Sequence, residues 1–286
     1  MADVLILGYG PAGVSAALYC LRGGRTVLMV GKDGGALSKA HAIENYYGLE
    51  KPLSGAQLME VGKKQASDLG ATIQEGEITD LYFDGNEFVA TSTKGGQFRG
   101  KTCIMATGAA RKSVAIAGIK NLEGHGVSYC AVCDAFFYRK KKVAVLGAGE
   151  YAMHEASELG MAESVTVLCN GAEPTAQFPE HVKVEHRKVK ELFGEEKLEG
   201  VVYEDGSREN FDGLFVAMGS ASAIDLARKA GAQFEGSLPV LDKDFMTTVP
   251  GLYAAGDCTG GTLQVAVAVS EGALAGLAAV KYLREH

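Results

Sequence analysis

The chain has 286 residues, with 28 Lys and Arg against 35 Asp and Glu, and a formal net charge of -7 at pH 7. Proteins that bind nucleic acids or anionic membranes usually carry a basic excess, so we expect neither as a partner, and expect small molecules or other proteins instead. The length favours two domains. The 38 glycines exceed the usual share of about 7%, which indicates that some of them have specific roles.

The apolar stretches of the chain indicate a cytoplasmic protein. Residues 4–7 form a strand-like run at the N-terminus, without the basic region, long apolar run and cleavage site of a signal peptide. Residues 263–280 are rich in Ala and Gly and are interrupted by Glu271, which predicts a buried helix and no transmembrane segment. Six cysteines without a secretion signal do not indicate structural disulfides, because the cytoplasm keeps ordinary thiols reduced.

A glycine-rich turn follows the first strand-like run, and a helical pattern after it ends at Gly23 and Gly24. The turn reads Gly8-Tyr9-Gly10-Pro11-Ala12-Gly13. In a dinucleotide-binding unit the first glycine permits the turn, the second lets the backbone approach a pyrophosphate, and the third lets the helix pack on the strand. The N-terminus of the helix then faces the phosphates. A purely structural glycine turn is the alternative.

The same unit occurs a second time. Strand-like segments lie at 26–30, 78–83, 88–92 and 98–105, and residues 143–146 lead into Gly147-Ala148-Gly149-Glu150-Tyr151-Ala152 and a helix up to about Gly160. After a further strand at 164–168 the strand and helix pattern continues to about Asp242, and the last strand-like segment, 252–257, ends in Gly256-Asp257 before a helix from Leu263. These elements predict an α/β protein with two Rossmann-like doubly wound domains, the first completed by the C-terminal segment.

The residues that usually recognise the adenosine ribose are missing from both units. An Asp or Glu about 20 residues beyond the glycines normally holds the ribose hydroxyls, or an Arg holds the 2′-phosphate of NADP. The second strand of the first unit ends in Gly31-Lys32, with Asp33 one or two positions late, and that of the second unit ends in Cys169-Asn170-Gly171. We expect this loss to weaken FAD binding less than nicotinamide binding, because FAD makes many other contacts.

A pair of cysteines lies between the two glycine-rich turns, in Cys130-Ala131-Val132-Cys133-Asp134. Two-residue spacing permits a readily exchanged disulfide with one nucleophilic thiol, and Asp134 is close enough in sequence to exchange protons with a thiolate. The alternatives are half of a zinc site and two inert cysteines. A zinc site requires a second similar pair, whereas the other cysteines are isolated along the chain, at Cys20, Cys103, Cys169 and Cys258. We therefore expect no metal and treat these four as core residues.

The order of the motifs resembles that of the low-molecular-weight thioredoxin reductases over essentially the whole chain. Besides both glycine-rich turns and the cysteine pair, the matching segments are Glu44-Asn45-Tyr46, Ala106-Thr107-Gly108 and Tyr253-Ala254-Ala255-Gly256-Asp257. The resemblance implies an FAD-binding domain from residues 1–112 and 242–286, and a smaller Rossmann-like domain at 113–241 that carries the cysteines. It also implies a homodimer, and a rotation between domains that presents the disulfide alternately to the flavin and to thioredoxin.

The resemblance assigns most of the candidate cofactor residues. It places Asp257 on the ribityl hydroxyls and Asn45 near the flavin. The remaining candidates for FAD are Gly8, Gly10, Pro11, Ala12 and Gly13 at the pyrophosphate, Gln264, Val265 and Ala266 beside the flavin ring, and Gly35, Ala36, Leu37, Thr107, Gly108 and Gly256 elsewhere around the cofactor. The family usually has Gly-Gly-Gln-Leu where this chain has Gly34-Gly35-Ala36-Leu37, so one contact on the flavin side differs.

The resemblance also assigns the catalytic residues. It places Cys133 nearest the flavin, makes Cys130 and Cys133 the redox pair, and makes Asp134 the proton donor and acceptor. Phe136 and Phe137 follow the pair. They correspond to contacts for thioredoxin, and the alternative is that both are core aromatics.

The second nucleotide site departs from the family pattern. The family's usual His-Arg-Arg-x-x-x-Arg is represented by Leu168-Cys169-Asn170-Gly171-Ala172-Glu173-Pro174, which has no basic residue, and Arg187 lies too far along the chain to replace it. This resembles the ferredoxin-dependent flavin thioredoxin reductase branch. We therefore expect electrons to pass from reduced ferredoxin through FAD and Cys130–Cys133 to a thioredoxin. The alternatives are the same disulfide chemistry driven by NADPH or NADH, and a flavin redox sensor with slow turnover.

Overall fold

The chain forms two compact units. A computed structural model describes residues 2–32, 35–108, 115–219, 221–236 and 238–286. Unit 1 combines Met1–Arg111 with Ser222–His286, and unit 2 is Lys112–Ala221. Asp33, Gly34 and the predicted domain boundary between residues 112 and 113 lie outside the described residues.

The helices and strands alternate along both units. From residue 2 to residue 108 they are β1 (Ala2–Leu7), α1 (Pro11–Arg22), β2 (Val27–Gly31), α2 (Gly55–Asp68), β3 (Thr72–Glu75), β4 (Ile78–Phe83), β5 (Phe88–Ser92) and β6 (Gln97–Met105). From residue 115 to residue 219 they are β7 (Val127–Ser128), α3 (Ala131–Asp134), β8 (Lys142–Leu146), α4 (Glu150–Glu158), β9 (Ser164–Leu168), β10 (Lys183–Glu185), β11 (Val189–Phe193), β12 (Gly200–Tyr203), β13 (Arg208–Asn210) and β14 (Gly213–Val216). From residue 221 onwards they are α5 (Ala223–Lys229), β15 (Phe234–Glu235), β16 (Leu238–Pro239), β17 (Leu252–Ala254) and α6 (Val265–Glu285).

Unit 1 is built on a seven-stranded mixed sheet. The strands follow the order β3-β2-β1-β6-β5-β4, and β17 pairs with β6. The pairs among β3, β2, β1, β6 and β17 are parallel, whereas β4, β5 and the beginning of β6 form an antiparallel meander. β1 is central, and Val4, Leu5, Ile6 and Leu7 are fully buried, as expected for a parallel strand covered on both faces. The strands predicted at 78–83 and 88–92 are confirmed.

Helix α6 packs directly on α1. A Cβ at Gly272 would lie 2.1 Å from the carbonyl oxygen of Ala12, and a Cβ at Gly276 would lie 2.7 Å from that of Ala16. By length and composition alone α6 could cross a membrane, but the core helix of a soluble protein meets the same criteria, and glycine-mediated backbone contact with α1 is core packing. The opposite side of α6 is exposed and includes Leu274, so the predicted buried helix is buried on one face only.

Unit 2 contains a five-stranded parallel sheet in the order β10-β9-β8-β14-β7 and an antiparallel sheet of β11, β12 and β13. The strand predicted at 164–168 is confirmed as β9. A helix follows β8 as it does β1, and the predicted α/β class with two Rossmann-like units is therefore confirmed.

The second boundary between the units lies earlier than the sequence predicts. Residues 222–241 were assigned to the smaller domain, but they pack with unit 1. α5 is anchored to that unit, because the Lys229 ammonium donates a 2.8 Å hydrogen bond to the carbonyl of Thr79 on β4. The strand and helix pattern runs through this region without a break, and the anchor is a tertiary contact that sequence periodicity does not reveal.

Candidate redox-active site

The two cysteines of the Cys-x-x-Cys motif form a disulfide. Cys130 and Cys133 are bonded, with their Cα atoms 5.3 Å apart. Cys130 is buried at the N-cap of α3, where its Sγ accepts a 3.1 Å hydrogen bond from the backbone N–H of Cys133, and Cys133 is exposed. The pair therefore stands at the N-terminus of a helical turn, where a thiolate is stabilised.

The other four cysteines are unpaired and buried, namely Cys20, Cys103, Cys169 and Cys258. Burial raises the pKa of the Cys20 and Cys258 thiols to about 12, and it also raises the pKa of Cys103. Such thiols remain protonated at neutral pH and are poor nucleophiles. They behave as the core residues that their isolated positions predict. Among the described residues, no group of three or more metal-ligating side chains is present.

A buried serine connects the disulfide to the predicted proton carrier. Ser128, at the end of β7, donates a 2.7 Å hydrogen bond to Oδ2 of Asp134. The same hydroxyl oxygen accepts a 3.1 Å hydrogen bond from the backbone N–H of Cys130. The structure thus brings Cys130, Cys133 and Asp134 together as predicted, and adds Ser128, which no motif in the sequence identified.

The exposed surface next to the disulfide is apolar. Phe136 and Phe137 are 69% and 67% exposed, and their rings meet edge to face at 6.3 Å. Val132, between the two cysteines, is 50% exposed. Phe136 and Phe137 are therefore not core aromatics, which rules out that alternative, and the cluster is of the kind that marks a protein-binding surface.

The first glycine-rich turn has the geometry of a phosphate cradle. Gly8 has φ +105°, and a Cβ there would lie 2.2 Å from the carbonyl oxygen of Ala106. A Cβ at Gly13 would lie 2.1 Å from the carbonyl oxygen of Gly8. At Gly10, by contrast, a Cβ would meet no atom within 4 Å. Gly8 and Gly13 are thus required for packing, whereas Gly10 leaves open space before Pro11, the first residue of α1, where an anion would be bound by the helix N-terminus.

Several other predicted cofactor residues of unit 1 lie beside this turn. A Cβ at Gly8 would be 3.1 Å from the backbone nitrogen of Thr107, which precedes Gly108, and a Cβ at Gly256 would be 2.8 Å from Cβ of Ala12. Asp257 follows Gly256, and burial raises the pKa of its carboxyl group. Hydroxyl groups that donate to this carboxylate would offset the cost of that burial.

Asn45 and Gln264 form a second group within unit 1. Asn45 Nδ2 donates a 3.0 Å hydrogen bond to Oε1 of Gln264. Gln264 is the N-cap of α6 and precedes Val265 and Ala266, so these residues share one helix N-terminus. This end lies at the C-terminal end of the chain's last strand region, where doubly wound folds bind their ligands.

The predicted segment at residues 35–37 lies at the start of a short 3-10 helix. Gly35 and Ala36 are exposed, and Gly35 has φ +57°. Leu37 packs against the core of unit 1, and a Cβ at Gly55 would lie 1.7 Å from its carbonyl oxygen. No contact in the described part of the chain joins Gly35 or Ala36 to the glycine-rich turn.

The second glycine-rich turn repeats the first but is covered. A Cβ at Gly147 would lie 2.2 Å from the carbonyl oxygen of Ala217, which repeats the relation of Gly8 to Ala106. At Gly149, the counterpart of Gly10, a Cβ would lie 3.4 Å from Oγ1 of Thr175. The backbone N–H of Thr175 donates a 2.8 Å hydrogen bond to the carbonyl of Ala148. The loop after β9 therefore lies over this turn.

The tip of β9 is also occupied by protein atoms. Asn170 has φ +53°, and its Oδ1 accepts a 2.8 Å hydrogen bond from the backbone N–H of Val189. A Cβ at Gly171 would lie 2.6 Å from Cγ of Lys188. Arg187 pairs with Glu185 at 2.6 Å and stacks 3.9 Å above the ring of Tyr203, so this guanidinium already has carboxylate partners.

Comparison with known proteins agrees with these observations. The family model "Pyridine nucleotide-disulphide oxidoreductase" matches residues 2–272. The thioredoxin reductase of Aquifex aeolicus is 34% identical, with 98% of this chain and 93% of the relative covered. That of Listeria innocua is 33% identical, with 99% and 94% covered.

Solved structures give the same result and link the geometry of both units to known proteins. The atypical thioredoxin reductase TRi of Desulfovibrio vulgaris Hildenborough has a TM-score of 0.92 at 39% identity, with 100% of this chain and 99% of that chain covered. A ferredoxin-flavin thioredoxin reductase of Clostridium acetobutylicum has a TM-score of 0.77 at 29% identity, with the same coverage. Since the family model and these relatives span almost the whole sequence, including the disulfide, the chain belongs to the pyridine nucleotide-disulphide oxidoreductase family and is a thioredoxin reductase-like flavin disulfide oxidoreductase.

Proposed function

We propose that this protein binds FAD and passes electrons from reduced ferredoxin through FAD and the Cys130–Cys133 disulfide to a thioredoxin. The observation that carries the choice of donor is the contrast between two equivalent glycines. Space is open at Gly10 in unit 1, whereas Thr175 covers Gly149 in unit 2. One of the two turns can thus receive a pyrophosphate without rearrangement, and the other cannot.

The open turn supports FAD as the cofactor. The residues that would hold it are those at the turn, Asp257 toward the ribityl chain, and Asn45 with Gln264 at the N-terminus of α6. When bound, FAD supplies a carrier that exchanges electrons singly or in pairs. The partial positive charge at the start of α6 would favour a negative charge placed beside it.

The covered turn argues against a nicotinamide donor. A dinucleotide would have to displace Thr175 from Ala148, and would then find no basic residue at the tip of β9. The nearest guanidinium, Arg187, is engaged by Glu185. Losing two or three charge-assisted contacts, each worth about 1.5 to 3 kcal/mol, would weaken a micromolar site to the millimolar range.

The thiol chemistry is assigned to unit 2. Reduction breaks the S–S bond with two electrons, and the two sulfurs take up protons. Asp134 is positioned to hold and deliver a proton at Oδ2, and Ser128 keeps that carboxylate oriented toward the cysteine segment. The pair then reduces the disulfide of thioredoxin by exchange through a mixed disulfide.

Exposed surfaces provide candidate docking sites for both protein partners. The apolar cluster of Val132, Phe136 and Phe137 beside the disulfide is the candidate thioredoxin contact. For an acidic ferredoxin the candidate is the basic run at residues 139–142, which is exposed. Of the second basic run considered, 187–190, the first residue is neutralised by Glu185. High salt should therefore slow ferredoxin-driven reduction.

A homodimer in the cytoplasm completes the proposal. α6 carries Leu274 and Leu277 on its exposed face, with Tyr19 of α1 exposed nearby in the same helix pair, and a second copy would cover such an apolar face. The unpaired buried cysteines are compatible with a reducing compartment. Sedimentation of the purified protein tests the dimer.

Anaerobic spectral titration tests the electron donor. We expect reduced ferredoxin to bleach the flavin and oxidised thioredoxin to restore its colour, whereas roughly tens of micromolar NADPH or NADH, a concentration typical of metabolite KM values, should have little effect. Cys130→Ser and Cys133→Ser should keep the flavin and lose thioredoxin reduction. Rapid, saturable bleaching by NADPH or NADH would instead establish a nicotinamide donor, and bleaching without any transfer to thioredoxin would favour a redox sensor.

A further inference from the structure

A buried carboxylate next to the redox pair has no role in the chemistry above. Glu155 on α4 is 1% exposed. Its Oε2 accepts a 2.7 Å hydrogen bond from the backbone N–H of Ala131, the residue that follows Cys130. One turn earlier on α4, the hydroxyl of Tyr151 donates a 3.4 Å hydrogen bond to the carbonyl of Tyr129, the residue that precedes Cys130. One face of α4 thus contacts the backbone on both sides of this cysteine.

The position of Glu155 opposes the usual effect of a helix N-terminus. Ala131 is the first residue of α3, and unpaired N–H groups at a helix start normally stabilise a thiolate there. Here the carboxylate takes one of these N–H groups. Its negative charge also disfavours a second negative charge nearby, and the interaction is stronger in a buried site than in water.

We infer that Glu155 is a positioning residue that holds the reduced Cys130 and Cys133 in the dithiol form and thereby keeps the pair a strong reductant. Reduction of the disulfide takes two electrons and two protons, or one proton where one sulfur remains a thiolate. Stabilising the thiolate makes a disulfide easier to reduce and its reduced form a poorer donor. Glu155 acts in the opposite direction, which favours transfer of the two electrons to thioredoxin.

Other titratable groups surround Glu155, and the test has to separate them from it. On the elements packed against α4 they are Asp134 on α3 and Lys142 at the exposed end of β8, whereas β9 has none; on α4 itself they are Glu150, Tyr151, His154 and Glu158. Among these, Asp134 also places a charge next to the pair. Variants that change Glu155 alone, with a control on the same helix, isolate its contribution.

The experiment measures the redox midpoint of the pair in the holoenzyme. The protein is equilibrated with mixtures of reduced and oxidised dithiothreitol, alkylated and digested with trypsin. Both cysteines fall in one peptide, residues 121–139, which contains no other cysteine, so its mass reports the reduced fraction directly. Neither ferredoxin nor thioredoxin is needed. The inference rests on the proposed function only for the meaning of the potential, and an error in the proposed donor or acceptor leaves this measurement unchanged.

Glu155→Gln removes the charge and keeps an oxygen that can accept from Ala131. At about pH 9, where thiolates are populated, we expect a ratio of reduced to oxidised dithiothreitol about tenfold lower at the midpoint, equivalent to about 30 mV for a two-electron couple. At about pH 6 the shift should be much smaller, since a protonated thiol does not sense the charge. Glu155→Asp, which keeps the charge, and Glu158→Gln, on the exposed side of α4, should both stay within about twofold of the wild type.

Three results would overturn the inference. The first is an unchanged midpoint in Glu155→Gln at about pH 9, and the second is a shift of equal size at about pH 6, which indicates packing instead of charge. The third is a comparable shift in Glu155→Asp. If Glu155→Gln does not yield folded holoenzyme, the Glu155→Asp midpoint still decides, because a shift with the charge retained contradicts an electrostatic role.

Discussion

The hydroxyl of Ser128 and the carboxylate of Asp134 are joined by a 2.7 Å hydrogen bond in the interior of unit 2. Ser128 is buried, and its oxygen also accepts from the backbone N–H of Cys130. A hydroxyl has one proton to donate, and here it is directed at the carboxylate. The orientation of the proposed proton carrier relative to Cys130 is therefore fixed by a residue that does not itself exchange electrons or protons with the sulfur.

Ser128→Ala should slow thioredoxin reduction without removing the disulfide. A hydrogen bond to a charged group contributes about 1.5 to 3 kcal/mol, so the turnover rate is expected to fall at least about tenfold if the orientation of Asp134 limits the reaction. Flavin content and the thermal midpoint should change little. Ser157→Ala is the control, because this exposed hydroxyl on α4 only contacts the carbonyl and sulfur of Met153. Equal rates in both variants would contradict the positioning role.

Gly10 offers a test of cofactor binding that is separate from folding. Its backbone φ is -69° and a Cβ there would meet nothing within 4 Å, so Gly10→Val should fold normally and fail to bind FAD, because the side chain would fill the space of the pyrophosphate. Bound flavin absorbance and the melting temperature of the apoprotein are the measurements.

Gly160→Val is the matched control for Gly10, since a Cβ at Gly160 also meets nothing within 4 Å but lies after α4, away from the turn. This variant should retain flavin. Stoichiometric FAD in Gly10→Val would show that the cofactor is bound elsewhere.

The sequence predicted the features that depend on local chain geometry. Gly8 and Gly13 are identifiable because a turn with φ +105° and a 2.1 Å approach to a carbonyl leave room for no other residue. The spacing of Cys130 and Cys133 likewise predicted their pairing. These residues are separated by a few positions in the chain, which is the range over which a motif carries information.

Contacts between residues far apart in the chain were not predictable. Glu155 meets Ala131 across 24 positions, and Thr175 covers Ala148 across 27. Neither residue type is unusual on a helix or in a loop, so nothing in the sequence distinguishes them from solvated residues. The same holds for α5, whose attachment to β4 moves the domain boundary.

The contact between α6 and α1 reverses the usual effect of replacing a helical glycine. Gly to Ala in a helix interior normally stabilises a protein by about 1 kcal/mol. At Gly272, however, a Cβ would lie 2.1 Å from the carbonyl oxygen of Ala12, and relieving this overlap should cost about 1 to 3 kcal/mol. Gly272→Ala should therefore lower the melting temperature and, because Ala12 belongs to the glycine-rich turn, weaken FAD binding.

Ser270→Ala places the same residue on the exposed side of α6 and should leave both the melting temperature and FAD binding close to those of the wild type. A Gly272→Ala protein that is as stable as wild type would mean that the two helices do not pack as closely as described.

The Arg187 cluster predicts a pH-dependent contribution to stability. A hydrogen bond from Arg187 lowers the pKa of Glu185 to about 2 from a model value of 4.5. Because the pKa is lower in the folded state, the stabilisation is present above about pH 4.5 and is lost as the pH falls from there toward 2. Arg187→Met retains an apolar stem over Tyr203 and removes the charge. We expect it to reduce the free energy of unfolding by about 1 kcal/mol at neutral pH, since the guanidinium is partly exposed. The deficit should shrink toward about pH 3, where the wild type also loses the interaction. Lys183→Met removes a more exposed partner of Glu209 and should have little effect at either pH. Urea unfolding followed by circular dichroism measures all three proteins, and an Arg187→Met deficit of the same size at both pH values would show that packing on Tyr203, not the ion pair, carries the stabilisation.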